Sequence, residues 1–473
     1  MKKSLLYVSA LTFVAMSYPA AAEETVLPAD ARTNVSVTVY NGGLGLIKDA
    51  RRVTLKDGVN SIAFEDVSSQ MQPETALVSG NGLKVMEQNF NFDLLSRESL
   101  LKRFLGKDIK VVNVNPGNGN ETTETAKILS VDAGVVLKIG DRIETDYKGR
   151  YIFPDVPAAL RDKPTLVIDL MVEKVGPQTM ELTYLTNGLT WKADYVAELN
   201  EKEDKVDLNG WVTLTNTTGV SYPDADLQLV AGAVNRVRAA PRRVMAKGVR
   251  LNAMASFDSA QEMVEESLMD YHMYSLGRKT DIRSNQTKQL ALLSAPAVSV
   301  EKIYRLENVV PTYVMSGSMQ DVEMRNAKVF LRFKNDKKSG LGMPLPAGTV
   351  RVYKNTGKKG VFFVGEDSVR HTPENEKIDL TLGDAFDVTV SAKQTGYTSL
   401  GKNIYNASYA LTFKNAKDVP VTVQYLQNFP NTFNIINESV PSAKENASRV
   451  KWEITVPAKS SAELTYTVRV SKQ

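Results

Sequence analysis

The residue types that carry acid–base, nucleophilic and metal chemistry are scarce in this sequence. Two histidines, His272 and His371, and no cysteine occur among 473 residues. Without cysteine the chain has no thiol nucleophile, Cys zinc site, disulfide framework or Cys-borne lipid anchor. His272 lies in Asp270-Tyr271-His272-Met273-Tyr274, and no Gly-x-Ser-x-Gly elbow offers it a nucleophile. It reads as a strand residue with ordinary hydrogen bonds. His371, ahead of Thr372-Pro373, reads as a turn residue, and neither has a partner at zinc-ligand spacing. Gly42, Gly43 and Gly45 are spaced loosely like a phosphate loop, but strands flank them and no helix follows, so they read as a turn. Asn115 to Glu121 lacks the carboxylate spacing of a calcium loop and reads as a hairpin tip. No catalytic residue, metal ligand or cofactor is assigned on these grounds.

Paired carboxylates could hydrolyse glycosidic bonds, but 54 acidic residues single out no pair. Aromatic residues discriminate better. Trp452 is in phase with Ile454 and Val456 and belongs to a core, as does Trp191. Trp211 instead shares a strand face with Asp207, Asn209 and Thr213. An aromatic ring on a polar face points to a binding surface, or to a face covered by another domain. A second candidate is the polar stretch 236–266. It opens with Arg236, Arg238, Arg242, Arg243, Lys247 and Arg250, turns acidic from Asp258, and carries Met245, Met254 and Met263. So long a loop is functional or disordered as a rule, and this one reads either as a flexible insertion tolerated at a strand junction or as a docking arm whose Met and Arg side chains engage a partner; its last part, Ser259 to Leu268, could form a short acidic helix.

The elements that must position these residues are strands. Apolar and polar residues alternate in Val35 to Val39, Val206 to Thr215, Val329 to Lys334, Trp452 to Val456 and Leu464 to Val470, the period of a strand with one wet face. Asn41-Gly42-Gly43, Asp57-Gly58 and Asn81-Gly82 punctuate them as turns. The fold class is mainly β, with antiparallel β-sandwich domains. Between residues 94 and 153 a short helix, capped by Ser96 and stopped by Gly106, precedes four or five short strands, the pattern of a small SH3-like barrel. Phe333-Lys334-Asn335 and Phe413-Lys414-Asn415 are the same tripeptide at strand ends, and Leu214-Thr215-Asn216 ends another. Each Asn reads as turn chemistry that tolerates left-handed backbone and bonds its own main chain. The expected organisation is a signal peptide (1–22), an N-terminal β domain (23–93), the barrel-like insertion (94–153) and a β-sandwich region (154–473).

The first residues give an address. Lys2 and Lys3, an apolar run from Leu5 to Met16, Pro19 and Ala20-Ala21-Ala22 form a secretory signal with cleavage after Ala22. The apolar run falls short of the roughly 20 residues that span a bilayer, and so do later ones such as Leu290 to Val300, so no transmembrane segment is expected after cleavage. The remaining 451 residues carry 56 basic and 54 acidic side chains, a balance that argues against a nucleic-acid partner. The expected location is the periplasm or outside the cell.

Gly188-Leu189-Thr190-Trp191-Lys192-Ala193-Asp194-Tyr195, Gly210 to Gly219, Leu227 to Gly232, Leu345 to Tyr353, His371-Thr372-Pro373 and Leu380 to Val388 follow one another in an order that resembles an uncharacterised bacterial domain family. That family also forms the C-terminal part of the mucoidy inhibitor A proteins, and the resemblance covers roughly residues 180 to 473. Tyr222 stands where its members often have Trp, its motifs are structural, and no active site is carried over. The resemblance implies the β fold and little about chemistry. The expected function is that of an exported, non-enzymatic β-rich protein binding another envelope component, protein or glycan. A glycan hydrolase and a surface or adhesion subunit are the alternatives. Trp211, Arg236, Arg238, Arg242 and Arg243 are the expected contacts, and the oligomeric state is left open.

Overall fold

The structure is a computed structural model that describes residues 24–91, 93–132, 134–157, 160–232, 234–235, 263–311, 321–429 and 432–471. Strands dominate, and Arg97–Arg103 is the one α-helix among the described residues. The mainly β fold follows the alternation in the sequence. Two compact units are present. Among the described residues, the first comprises those within 24–37, 46–187 and 218–225, the second those within 38–45, 188–217 and 226–471.

In the first unit a four-stranded sheet runs in the order Glu24–Leu27, Gly58–Glu65, Thr165–Val172, Leu83–Asn91. Its first pair is parallel, a departure from purely antiparallel sheets. Leu77–Ser79 and Gly176–Asn187 pair in a further sheet. Five strands between residues 108 and 152 form a separate antiparallel sheet, and with the helix they share a core of Leu101, Phe104, Ile109, Val111, Ile128, Leu137 and Ile139. Ser96 caps the helix, accepting from the Ser99 N–H while the Ser99 hydroxyl accepts from the Ser96 N–H. The helix ends at Arg103 with Phe104 as its cap, earlier than the expected stop; Gly106, at φ +77°, lies two residues beyond, where its N–H donates to the Ile128 carbonyl. Asn115 to Asn120 close the hairpin between two of the strands, as the sequence suggests.

A charged cluster sits inside this unit. Asp49 and Arg51 are buried, and Arg51 donates to Asp49 at 2.7 Å and to the backbone oxygens of Leu27 and Glu65 while its guanidinium lies 5.0 Å from the Phe64 ring centre. Arg32 donates to both oxygens of Asp49, at 3.0 and 2.8 Å. Burial alone would push the Asp49 carboxyl up, but the two arginines outweigh it and hold it below the usual carboxylate range. Its charged form therefore adds stability above the unfolded carboxylate pKa, and that stability is lost on acidification through the folded value.

The second unit holds two large sheets. One runs Gln286–Ser299, Lys205–Asn216, Leu189–Leu199, Gly348–Asn355, Val361–Val369. Its third and fourth strands are parallel. Gly348 is required there, since a Cβ at this position would lie 2.3 Å from the carbonyl oxygen of Ala193. The inner face carries Trp191, Ala193, Tyr195, Val206, Leu208, Val212 and Leu214, all buried. Trp191 meets Tyr274 at 6.4 Å between ring centres, and the Tyr195 hydroxyl donates to the Pro346 carbonyl.

The other sheet has nine strands, with Ser460–Ser471 second from one edge and Arg449–Val456 second from the other. Trp452 on the latter nevertheless stacks on Tyr466 of the former, ring centres 4.7 Å apart, and on Tyr425 at 5.2 Å. The sheet therefore curls until its two sides share one core. Trp191 and Trp452 are core residues, as their phase in the sequence implies.

Two expectations need correction. Val264–Leu268 is a strand paired antiparallel with Tyr271–Ser275, so the acidic helix expected up to Leu268 does not include it. Met269 takes the left-handed backbone conformation (φ +55°) in the tight turn, and five residues on each side find ladder partners that a single helical turn would not offer. The strand-end asparagines also work differently from turn residues. Their own φ angles are negative, and the side chains also reach carbonyls beyond the local turn, although Asn415 keeps the expected main-chain bond by accepting from the Lys417 N–H two residues on. Buried Asn335 donates to Met343, Thr372 and Pro373 oxygens and accepts from the Gly342 N–H. Asn415 donates to Val419, Val456 and Pro457 oxygens and accepts from Lys417. Asn216 reaches Ile282 and Arg283. Each amide thereby bonds carbonyls of the loops and strand ends around it.

Replacing Asp49 with Asn would leave two buried or nearly buried guanidinium groups without their counter-charge. Asp49→Asn is expected to destabilise the protein by about 3–5 kcal/mol, read as a lower urea midpoint for the transition of the first unit. Asn335→Ala and Asn415→Ala strand buried carbonyls and should each lower stability by about 1–3 kcal/mol. An unchanged midpoint would show that water replaces the amide.

Candidate binding face

Trp211 stands on the outer face of the five-stranded sheet, and the register shows what surrounds it. It lies directly opposite Asp194 on one side and Ala291 on the other. Asn209, Trp211, Thr213 and Thr215 alternate with buried Leu208, Gly210, Val212 and Leu214, so strand geometry turns all four outward. Neighbouring strands add Lys192, Asp194, Thr349 and Arg351, and then Glu366 opposite Arg351.

Asp194 is the polar hub. It accepts from the Thr213 hydroxyl at 3.1 Å and from Arg351 Nη1 at 3.2 Å, with Lys192 Nζ 3.1 Å away. Arg351 Nε also reaches Glu366 at 3.2 Å. One guanidinium thus bridges two carboxylates. Ser294 donates to Asn209 at 2.8 Å. Farther along the same face Tyr353 and Phe363 meet edge to face at 5.5 Å. The result is a partly exposed indole set among fixed donors and acceptors on a sheet surface, with a second aromatic pair at the edge.

At the end of this sheet an open groove of about 650 Å³ is lined by Glu198, Glu201, Asp204, Asp207, Lys202 and Lys205. Three of its carboxylates are already held. Asn355 donates to Glu198, Asn200 to Asp204 and the Ala297 N–H to Asp207, at 2.7–2.9 Å. Among the described residues no group of three or more His, Asp or Glu side chains is placed to hold a metal ion.

The histidines lie elsewhere. His272 is on the strand Tyr271–Ser275, its Nδ1 2.7 Å from Glu265 Oε1. His371 follows the strand Val361–Val369, and its Nδ1 accepts from the Ala347 N–H at 3.2 Å. Partial desolvation, with a smaller contribution from His272, lowers the His371 pKa below its ordinary value of 6.5.

Trp211 is therefore where the sequence placed it, on a polar face. Arg236, Arg238, Arg242 and Arg243 lie outside the described residues. Lys192, Asp194, Thr349, Arg351 and Glu366 are the members of the face that sequence reasoning missed. The last three come from strands more than 130 positions downstream; the parallel pairing of Leu189–Leu199 with Gly348–Asn355 brings Arg351 to Asp194, and the next strand brings Glu366 to Arg351. Among the described residues no helix is long and apolar enough to cross a membrane.

A lowered His371 pKa means that the unfolded chain takes up the proton first, so this residue's contribution to stability is present above pH 6.5 and declines as pH falls below it. His371→Asn should flatten the fall in urea midpoint below that pH relative to the natural protein. Parallel pH profiles would assign the acid sensitivity to other groups.

No curated protein matches the chain significantly. Residues 180–472, a span that includes the whole binding face and both large sheets of the second unit, match the domain of unknown function DUF4139. Covering more than half of the chain, this match shows that the protein belongs to the DUF4139 family.

Proposed function

We propose that the protein is exported to the periplasm or beyond and serves there as a non-enzymatic binding protein for another envelope component. The signal-like sequence up to Ala22 supports the address. The family is taken to be the one shared with the C-terminal part of the mucoidy inhibitor A proteins, on the motifs Gly188 to Tyr195 and Leu345 to Tyr353.

One observation carries the binding reading. Trp211 presents its ring beside Asp194, Thr213, Asn209 and Arg351, whose side chains are held in place by one another and by neighbouring strands. A flat indole bordered by preorganised donors and acceptors suits the apolar face and hydroxyl rim of a sugar ring, so a glycan is the favoured ligand class. Rigid sheet positions keep the ordering cost of binding low. The basic start of the stretch 236–266, with Arg236, Arg238, Arg242 and Arg243, is a second contact for an anionic glycan or an acidic protein surface.

Titrating the mature protein with a panel of cell-wall and capsular glycans tests this. At least one should bind, and Trp211→Ala should weaken it by about tenfold or more, on the order of 1.4 kcal/mol, with the fold intact because the ring packs on the outer face. Binding unaffected by Trp211→Ala would remove the face from the account. Turnover of a bound glycan, abolished by a single Asp or Glu substitution, would make the protein a hydrolase instead.

A further inference from the structure

The strand registers of the five-stranded sheet set an apolar diagonal across its outer face. Trp211 lies opposite Asp194, Asp194 opposite Thr349 and Glu198 opposite Tyr353, so Tyr353 stands two strands across and four residues along from Trp211. Val196, paired with Asn209 on one side and Arg351 on the other, is the outward residue midway between them. Phe363 extends the line, since it pairs with Tyr353 and the two rings meet at 5.5 Å. Trp211, Val196 and Tyr353 are half-buried, and Phe363 is 56% exposed. Strands about 4.8 Å apart and a rise of about 3.3 Å per residue put Trp211 and Tyr353 about 16 Å apart.

Polar side chains border this stripe on both sides. Asp194, Thr349, Arg351 and Glu366 line one side, and Asn209, Asp207 and Glu198 the other. Arg351 is shared between Asp194 and Glu366, while Asn355 holds Glu198 and the Ala297 N–H holds Asp207. An apolar line with fixed acceptors along both borders matches a linear sugar chain, whose ring faces are apolar and whose hydroxyls project sideways. An extended peptide fits less well, because the strands carrying Trp211, Val196 and Tyr353 are paired on both sides and leave it no ladder to join. Charge narrows the choice further. The borders carry the carboxylates of Asp194, Glu198, Asp207 and Glu366 against the guanidinium of Arg351, and Glu198 faces Asp207 directly. That excess repels a carboxylated or phosphorylated chain and leaves oxygens to accept from hydroxyls.

We infer that this stripe holds an uncharged linear glycan long enough to reach from Trp211 to the Tyr353–Phe363 pair. The inference rests on the glycan reading above and narrows it in length and in charge. An anionic chain is not the occupant of this stripe. Each end alone is a single weak contact, whereas a chain that reaches both makes the second contact intramolecular, so affinity climbs once the span is reached.

Titration calorimetry of the mature protein with cello-, manno- and N-acetylated chito-oligosaccharides of increasing length tests this. In at least one series affinity should rise by about tenfold or more between the disaccharide and the chain that first reaches both ends, and then level off. Tyr353→Ala should cancel that rise, so that long chains bind the variant no better than the disaccharide does. Phe363→Ala, at a more exposed ring, should reduce the rise and carries the test if the urea midpoint shows that Tyr353→Ala fails to fold. Oligogalacturonides of the same lengths, which bear a carboxylate on every ring, should bind about tenfold more weakly or worse. A Trp211-dependent affinity that ignores chain length, a length gain that survives both variants, or a preference for the charged series would overturn the inference and leave the glycan reading standing. If none of the uncharged series binds, the inference falls; if no glycan of any kind binds, the reading beneath it falls as well.

Discussion

Period-two burial is the constraint on which the second unit depends. Along Leu189–Leu199 and Lys205–Asn216 every second side chain is buried, so one face of the sheet is committed to the core and the other is left to water. A slip of one residue in either register would exchange Trp191 for Thr190 and Leu214 for Thr213 and expel the core. The same constraint fixes the outer face. Trp211 cannot turn inward without carrying Asn209 and Thr213 with it.

Polar groups enter the interior only where something demands them. Arg51 joins three strands by bonding Asp49 and the Leu27 and Glu65 carbonyls, with the Phe64 ring centre 5.0 Å from its guanidinium. The three strand-end asparagines solve a different problem, the carbonyls of the loops and strand ends around them. That Asn335 and Asn415 each bind three carbonyls and one N–H gives the repeated Phe-Lys-Asn a physical purpose, whether it arose by duplication or by convergence.

What could be read from the chain alone was whatever local periodicity encodes. The strands, the Ser96-capped helix with its small sheet, the buried Trp452 and the polar setting of Trp211 all follow from spacing within a dozen residues. The remote pairings do not. Asp194 meets Arg351 through a parallel pair whose strands are separated by some 150 positions of sequence, and nothing local announces it. The same holds for the curling that brings Tyr466 to Trp452. Val264–Leu268 misled because its acidic residues suit a helix, whereas its neighbour across a tight turn decides its conformation.

Each of the two units is assembled from three separate lengths of chain, the first needing residues as late as 225 and the second residues as early as 38. Neither can therefore be completed in simple order of synthesis. Strands must wait for partners far downstream, and such non-local topologies fold slowly and expose unpaired edges meanwhile. A polypeptide that matures this late keeps its sheet edges open to wrong partners until the last lengths of chain arrive, so its yield depends on how crowded its surroundings are while it waits.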